Sequence, residues 1–370
     1  MRSKGWESMT LGDFVALQRG HDLPESKRRP GNVPVIGSFG ITGYHDIAKA
    51  KGPGVTIGRS GASFGVVSYS PVNYWPHNAA LYVTDFYGND ERFSYYFLKS
   101  IDFKNYNSGS AQPSLNRNYI YPIEIKVPPL PIQRKIAAIL SAYDDLIENN
   151  TRRIEILEEM ARSIYREWFV KFRFPGHEQV QMVDSELGPI PEGWEAVKVE
   201  DVVELAYGKS LTAKNRIPGT VPVYGSAGVV GYHNESLVNA PGVIVGRKGN
   251  VGSVFWSNDD FFPIDTVFYV QTKVCLHYVY YNLQNQNFIN NDAAVPGLNR
   301  NQAYSLPFLL PSENLLKQFQ HFVDVIFKQT SKLRIKNDNL RQTRDLLLPR
   351  LISSEIDVEN LDINISQIAA

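Results

Sequence analysis

Two stretches of the chain carry apolar residues at steps of three and four positions, the spacing that places side chains along one face of a helix. The first stretch covers residues 132–172, with Asn150 as a polar interruption of its apolar stripe. The second covers residues 315–351, and we expect Pro349 to break or kink it. Because stripes this long and narrow are typical of coiled-coil seams, the pattern predicts two long helices.

Before each stripe the pattern changes to short runs of β-branched and aromatic residues separated by Gly, Pro and Asn. Runs such as residues 54–58 and 81–86 predict strands joined by tight turns. A short helical segment is expected at residues 93–100. The chain is therefore predicted to have an α+β fold, in which β-rich mixed domains alternate with long helices.

The chain also repeats itself. The segment VPVIGSFGITGYHD, which starts at Val33, returns as VPVYGSAGVVGYHN at Val221. Further on, GVTIGRSG returns as GVIVGRKG, and SLNRN returns as GLNRN. Trp6 and Trp194 stand at the start of the two copies. Several separated matches in the same order indicate an internal duplication.

The duplication predicts where the domains begin and end. We expect a first β-rich domain at residues 1–130, a central helix at 131–172, a linker at 173–192, a second β-rich domain at 193–311, a distal helix at 312–352 and a C-terminal tail at 353–370. The two helices most simply pair with each other as an antiparallel coiled coil. Two similar domains joined in this way form a pseudo-twofold arrangement.

Composition and charge restrict the class of protein. The 38 basic and 38 acidic residues cancel, which is unusual for a free-standing nucleic-acid binder, so any DNA contact must use local basic loops or charge from partner subunits. The single cysteine, Cys275, excludes a disulfide framework and a thiolate metal cluster. The N-terminal sequence has no apolar signal core and no segment is apolar enough to span a membrane, so we expect a soluble, cytoplasmic protein.

Two similar domains suit duplex DNA, whose strands are themselves related by twofold axes. Candidate contact residues lie in three loops where the copies align but differ: the loop before the first repeated strand, the Gly-rich turn, and the loop that leads to Leu-Asn-Arg. In the first copy these residues are Lys27, Arg28, Arg29, Arg59, Ser60, Ser110, Gln112, Asn116 and Arg117, and in the second they are Lys214, Arg216, Arg247, Lys248, Asn250, Asn299 and Arg300. Basic and amide side chains of this kind bind phosphates and base edges.

Each loop also has a purely structural interpretation. The first loop is equally typical of a solvated surface, and the Gly-rich turn of a hairpin with an incidental arginine. The asparagine of Leu-Asn-Arg suits the capping of a local turn as well as it suits a base edge. For His45 and His233, which follow a repeated Gly-Tyr, a structural role is favoured.

The sequence does not favour chemistry in this chain. An amino-methyltransferase would need a Gly-rich cofactor turn and an Asn/Asp-Pro-Pro-aromatic motif, and the Pro-Pro of residues 127–130 lacks both flanks. A nuclease motif at Asp265 and residues 271–273 is not repeated at Asn78 and Thr84, the aligned places of the first copy. No catalytic or metal-binding residue is therefore predicted. A protein–protein scaffold without DNA remains an alternative, which would lack a concave, positive side at the loops.

The sequence PPLPIQRKIA at residues 128–137, together with Leu-Asn-Arg and Ile-Gly-Arg-x-Gly, resembles the specificity subunits of type I restriction–modification enzymes. The resemblance extends over residues 6–352, although the second junction, residues 310–318, is a looser version of the first. It implies that the β-rich domains are target-recognition domains and that the helices are spacers. A related system, in which the same architecture serves a fused nuclease–methyltransferase, is a further alternative.

The resemblance also implies partners and cofactors. Double-stranded DNA would be read as a bipartite, asymmetric site, one half by each target-recognition domain. The chain would recruit two methyltransferase subunits, and the full complex would add two restriction subunits. S-adenosylmethionine, ATP and Mg would be bound by those partners and not by this chain. The apolar residues Ile156, Tyr165, Phe169 and Phe172, which lie off the first helical stripe, suit partner helices or the walls of the chain's own domains.

Overall fold

The structure is a computed structural model that describes residues 5–109, 113–288 and 297–363. The chain divides into two units. Unit 1 consists of Met1–Asn150 with Lys336–Ala370, and unit 2 consists of Thr151–Ile335. Each unit contains one copy of the repeated sequence and one half of each long helix, so the duplication seen in the sequence is also the plan of the fold.

The first copy contains short strands followed by a long helix. In chain order its elements are β1 (Glu7–Thr10), α1 (Leu11–Phe14), β2 (Ala16–Arg19), β3 (Val33–Gly37), β4 (Gly40–His45), β5 (Gly54–Gly58), β6 (Val67–Ser70), β7 (Trp75–Pro76), β8 (Ala80–Asp85), α2 (Glu91–Ser100), α3 (Arg117–Ile120), β9 (Glu124–Val127) and α4 (Leu130–Tyr165). The helix expected at residues 93–100 is confirmed by α2, whose first turn is capped by the side chain of Asp90.

Three sheets form the β-rich part of the first copy, which we call domain 1. A four-stranded sheet has the order β2-β8-β5-β6, a three-stranded sheet has the order β4-β3-β7, and β1 pairs with β9. Every residue of β5 is buried, the polar Thr56 at its centre included. The core of domain 1 includes Phe14, Phe93 and Leu140, so the first turns of α4 close it from one side.

The second copy repeats this order of elements. It is preceded by a short pair of strands, β10 (Met182–Val183) and β11 (Ile190–Pro191). The elements of the second β-rich part, which we call domain 2, and the last long helix are β12 (Glu195–Lys198), α5 (Val199–Val202), β13 (Glu204–Tyr207), β14 (Val221–Gly225), β15 (Gly228–His233), β16 (Gly242–Gly246), β17 (Val254–Ser257), β18 (Phe262–Pro263), β19 (Val267–Gln271), α6 (Leu276–Gln284), α7 (Arg300–Tyr304), β20 (Pro307–Leu310) and α8 (Glu313–Ile352). Its sheets run β13-β19-β16-β17, β15-β14-β18 and β12-β20, strand for strand as in domain 1.

The two long helices run antiparallel in unit 1. Near the middle of both helices Asn150 donates from Nδ2 to Oδ1 of Asn337 over 2.9 Å, and nearer the C-terminus of α8 Arg344 pairs with Asp144. Both asparagines are buried. The polar interruption that the sequence showed at Asn150 is thus a buried amide pair in the helix seam.

The antiparallel pairing of α4 and α8 also holds in unit 2. Arg334 of α8 pairs with Glu158 of α4, and the Trp168 and Phe319 rings lie 6.1 Å apart. After Tyr165 the helix continues as one π-helical turn, Arg166–Val170. The predicted antiparallel pairing of the helices is therefore confirmed within each unit.

The off-stripe aromatic residues of α4 belong mostly to the core of domain 2. Tyr165 and Phe169 are buried, and the Phe169 ring lies 4.6 Å from that of Tyr278. Phe172 contacts Trp194 edge to face at 5.5 Å. Ile156, in contrast, is 52% exposed. The chain's own domain, rather than a partner helix, covers the aromatic members of this group.

The last helix does not end at Pro349. α8 continues to Ile352, although a proline inside a helix removes one hydrogen bond and costs about 3 kcal/mol. Leu348 and Leu351, on either side of it, are buried in the core of unit 1, and their burial offsets this cost. None of the helices in the described part of the chain is long and apolar enough to cross a membrane.

Candidate nucleic-acid interface

The structure brings the second and third candidate loops together in each domain. In domain 1 the backbone N–H of Leu115 donates to the carbonyl of Arg59 over 2.7 Å, and Ser60 bridges to Ser114. The same contacts return in domain 2, where Leu298 donates to Arg247 over 2.7 Å and Lys248 bridges to Gly297. The Gly-rich turn and the Leu-Asn-Arg loop therefore form one surface in each copy.

In domain 1 this surface contains a basic cavity. Arg59, Arg117 and Arg19 line an open cavity of about 390 Å³, together with Gln18, Leu81, Ser108, Ser114, Leu115 and Asn116. Arg59 follows the buried strand β5, and its Nη1 donates to the carbonyl of Asn78 over 3.3 Å. Arg117 donates from Nη1 to the carbonyl of Leu17 over 2.7 Å. Backbone carbonyls thus hold two of the three guanidinium groups in place.

The three arginines have no carboxylate partner among the residues that the structure describes. None of the carboxylates in the described ranges forms an ion pair with Arg19, Arg59 or Arg117. The pKa of Arg59 is lowered by burial and, to a smaller extent, by the charge of Arg19. The cavity is therefore a site of unbalanced positive charge. Arg19 was not among the residues predicted from the sequence. Its signal is its position at the end of β2 directly before a glycine, as Tyr207 ends β13 before a glycine.

In domain 2 an aromatic ring takes the place of the third arginine. The guanidinium carbon of Arg247 lies 5.0 Å from the centre of the Tyr207 ring, and that of Arg300 lies 4.9 Å from it. Both distances are typical of cation–π contacts. Arg247 also donates from Nη1 to the carbonyl of Asp265 over 2.8 Å. Lys248 and Asn250 are exposed beside this stack.

The first candidate loop lies on the β3–β4 hairpin of domain 1 and on the matching β14–β15 hairpin of domain 2. Arg28 donates from Nη1 to the carbonyl of Thr42, and Arg216 donates to that of Val230, each over 2.7 Å. The guanidinium of Arg28 passes over Gly43, where a Cβ would lie 2.5 Å from Nη1. These two arginines therefore fasten the hairpins.

The neighbours of these arginines divide into anchored and exposed side chains. Arg29 pairs with Asp46 over 2.8 Å, whereas Lys27 and Lys214 are exposed in short 3₁₀ turns. Within the described ranges, no hydrogen bond or ion pair joins this loop to the other two loops. His45 and His233 are buried and accept at Nδ1 from a backbone N–H, each over 3.0 Å, which is the structural role favoured for them.

The asparagines of the Leu-Asn-Arg loops cap short helices. Asn116 accepts at Oδ1 from the N–H of Asn118 over 3.0 Å, and Asn299 accepts from that of Asn301 over 2.8 Å. The amide oxygen of each is thereby used within the fold. Ser110 and Gln112 lie outside the described residues. Each copy also exposes a hairpin tyrosine, Tyr44 or Tyr232, which was not predicted although the repeated Gly-Tyr was its signal.

Comparison with known proteins agrees with the duplication. The sequence model of the family described as type I restriction modification DNA specificity domain matches residues 3–159 and 191–339, one match in each copy. The MjaIX type I restriction enzyme specificity subunit of Methanocaldococcus jannaschii is 24% identical over 306 residues, which are 72% of this chain and 69% of that protein. The MjaVIII specificity subunit of the same organism is 30% identical over 180 residues, which are 48% and 36% of the two chains.

The fold has a counterpart among solved structures. The S subunit of a type I restriction–modification system from M. genitalium superimposes with a TM-score of 0.63 at 18% sequence identity. The superposition covers 95% of this chain and 97% of that one. At this level of identity the likeness concerns the fold, and it extends over both copies and both long helices.

Proposed function

Since this chain belongs to the family of type I restriction–modification DNA specificity domains and carries two of them, we propose that each domain reads one half of a bipartite DNA site. One observation carries this proposal. In both copies the Gly-rich turn and the Leu-Asn-Arg loop meet, and each meeting point presents at least two arginines. Side chains of this type bind phosphates and guanine edges.

The two halves of the site differ in sequence. At matching positions of the interface, domain 1 has Arg19 and Ser60, whereas domain 2 has Tyr207 and Lys248. Side chains that differ in charge and shape recognise different bases, so we expect an asymmetric site. The arginines that line the cavity of domain 1 favour DNA recognition over a protein–protein scaffold with two β-rich binding modules.

The helices α4 and α8 set the number of base pairs between the half-sites and recruit two methyltransferase subunits. Both helices continue from one unit into the other, and both carry large apolar side chains that are exposed in this chain: Ile156, Met160, Phe322, Val325, Ile335 and Leu346. Exposed apolar surface of this kind suits partner subunits. Two restriction subunits complete the assembly in the cytoplasm.

Catalysis belongs to the partners in this proposal. The partners bind S-adenosylmethionine, ATP and Mg, and the methyltransferase subunits modify adenine in the site that this chain selects. Within the described ranges no three His, Cys, Asp or Glu residues are grouped as a metal site would require. The contribution of this chain is the position and sequence of the DNA.

The test is sequencing of methylated bases in the host genome with and without the gene. We expect deletion to remove methyl-adenine from one split motif whose two short halves differ. An unchanged set of methylated sites, with the partner subunits expressed, would contradict DNA recognition and favour the protein–protein scaffold.

Matched variants assign the half-sites to the domains. Ser60→Ala removes a half-buried hydroxyl from the turn of domain 1, and Lys248→Ala removes an exposed ammonium group at the same position of domain 2; neither alters the backbone contacts of the turn. We expect each variant to relax the methylated motif in one half only, and in opposite halves. Relaxation of the same half by both variants would contradict the assignment of one half-site to each domain.

A further inference from the structure

The cavity of domain 1 holds more positive charge than the fold itself uses. Arg19, Arg59 and Arg117 each bring a positively charged guanidinium group, and no described carboxylate pairs with them. Like charges held around one cavity repel each other, more strongly where the site is partly shielded from water. An arrangement of this kind is stabilised by an anion that enters the cavity.

The geometry suits an anion with several oxygens. Arg59 and Arg117 each give one hydrogen bond to a backbone carbonyl, which fixes the planes of their guanidinium groups. A guanidinium has five N–H donors, so most donors of both groups remain for a ligand. Asn116 and Gln18 add polar groups at the rim. Fixed guanidinium forks match phosphate oxygens in geometry as well as in charge.

Domain 2 has a different residue at the position of Arg19. Arg19 lies opposite Leu81 in the β2–β8 pair, and Tyr207 lies opposite Phe268 in the equivalent β13–β19 pair, so the two residues occupy the same position. In domain 2 Arg247 and Arg300 both stack on the Tyr207 ring, at 5.0 and 4.9 Å. The negative face of the ring stabilises the two positive charges in domain 2, as a bound anion would stabilise them in domain 1.

We propose that the cavity formed by Arg19, Arg59 and Arg117 binds one phosphate group of the DNA backbone, and that domain 2 holds its half-site without the equivalent contact. This inference rests on the proposed function, because it assumes that the DNA passes this surface. It makes domain 1 the domain that anchors the duplex through its backbone. Domain 2 then depends more on contacts of other kinds.

The test uses exchange of the two residues between the domains. In Arg19→Tyr the cavity receives the residue that domain 2 already accommodates, and Tyr207→Arg gives domain 2 a third arginine. The full chain is titrated with a fluorescent duplex of mixed sequence at several salt concentrations, and binding is followed by anisotropy. Non-specific affinity is almost entirely phosphate contact, and each contact contributes about 0.9 to the slope of log affinity against log salt.

We expect Arg19→Tyr to weaken binding about tenfold at ~0.1 M salt and to reduce the slope by about one, and Tyr207→Arg to steepen it by about one. Lys51→Tyr is the matched control, since it removes one exposed charge and adds the same ring before β5, at the end of that strand away from Arg59. Its slope should equal that of the wild type. Thermal unfolding shows whether each variant is folded.

Three results would overturn the proposal. One is a wild-type slope in both exchange variants, and another is an equal loss in Lys51→Tyr. The third is that inorganic phosphate, at constant ionic strength, raises the unfolding temperature of the wild type more than that of Arg19→Tyr, while the two proteins bind DNA with equal affinity. The cavity would then bind a free anion and not the DNA backbone. In all three the wild type still binds DNA and the proposed function stands. A wild-type chain that does not bind DNA, alone or with its partner subunits, would contradict the proposed function itself.

Discussion

At the scale of single residues, the two copies differ at one position of their short helices, where α6 has a buried His277. Its ring stacks on Trp256 at 4.4 Å and meets Phe327 edge to face at 4.4 Å. Nδ1 lies 3.4 Å from Oδ1 of Asp324 without the geometry of a hydrogen bond, and neither ring nitrogen has a partner among the described residues. Burial outweighs the attraction of the Asp324 carboxylate and lowers the pKa of His277 to about 4. The equivalent residue of α2 is Arg92, which pairs with Asp145 over 2.8 Å.

His277 makes the stability of unit 2 depend on pH. In the unfolded chain His277 binds a proton below pH ~6.5, whereas in the folded chain its ring stays neutral down to about pH 4. The free energy of unfolding therefore falls as the pH is lowered through this window. From pH 7 to pH 5 we expect a loss of about 2 kcal/mol. Thermal unfolding followed by tryptophan fluorescence measures it. His277→Phe, which keeps the ring, should remove most of this loss, and an equal loss in the variant would contradict the assignment.

The sequence predicted several of the residues at the candidate site, but it did not predict which of them lie together. The sequence identified Arg59 and Arg117 because the copies align around them, yet only the backbone contacts between the two loops, Leu115 with Arg59 and Ser60 with Ser114, bring them to one cavity. Arg28 carried the same sequence signal as Arg59. Its guanidinium nevertheless donates to the carbonyl of Thr42, because the glycine at position 43 leaves room for it. A sequence does not show whether an arginine faces a ligand or a carbonyl of its own fold.

At the scale of the elements, the polar pair in the helix seam is an instance of specificity gained at the expense of stability. Asn150 and Asn337 bind each other over 2.9 Å, and Asn337 also donates to the carbonyl of Ile147 over 3.3 Å. A buried amide satisfied by another amide fixes how two helices are aligned, since any shift along the seam breaks the hydrogen bond between them.

A double-mutant cycle tests this pair. Asn150→Leu alone should lower the free energy of unfolding by about 2 kcal/mol, because it removes the N–H group that donates to the buried Oδ1 of Asn337. Asn150→Leu with Asn337→Leu should recover the loss or exceed wild-type stability, because two leucines suit an apolar seam. Urea unfolding of the three variants gives the coupling energy. Additive losses in the double variant would show that the two amides are independent.

The long elements were the predictable part of the fold. The stripe that starts at residue 132 and the Pro-rich junction before it placed α4 within two residues of its observed start at Leu130. Its end was harder to predict, because Tyr165 and Phe169 keep an apolar pattern while they pack on domain 2 through a π-helical turn. The two-residue strands β10 and β11 were not foreseen, since two residues are too few to show a period.

At the scale of the whole molecule, the charge balance predicts dependence on partners. The 38 basic and 38 acidic residues leave no net charge, so the long-range attraction to DNA is small. We expect the purified chain alone to bind the motif found by methylation sequencing weakly at ~0.15 M salt, with affinity rising at least about tenfold when the methyltransferase subunit is added. Anisotropy titrations with and without that subunit measure the difference. Tight and specific binding by the chain alone would contradict this expectation.

The division of the chain into units has a consequence during protein synthesis. Unit 2 is one continuous stretch, Thr151–Ile335, whereas unit 1 needs residues from both sides of it. At about 5–20 residues per second, the first-made part of unit 1 waits roughly 10–40 s on the ribosome before Leu348 and Leu351 arrive to complete its core. Translation that stops before residue 336 would therefore leave unit 1, which is made first, unfinished, and unit 2 complete.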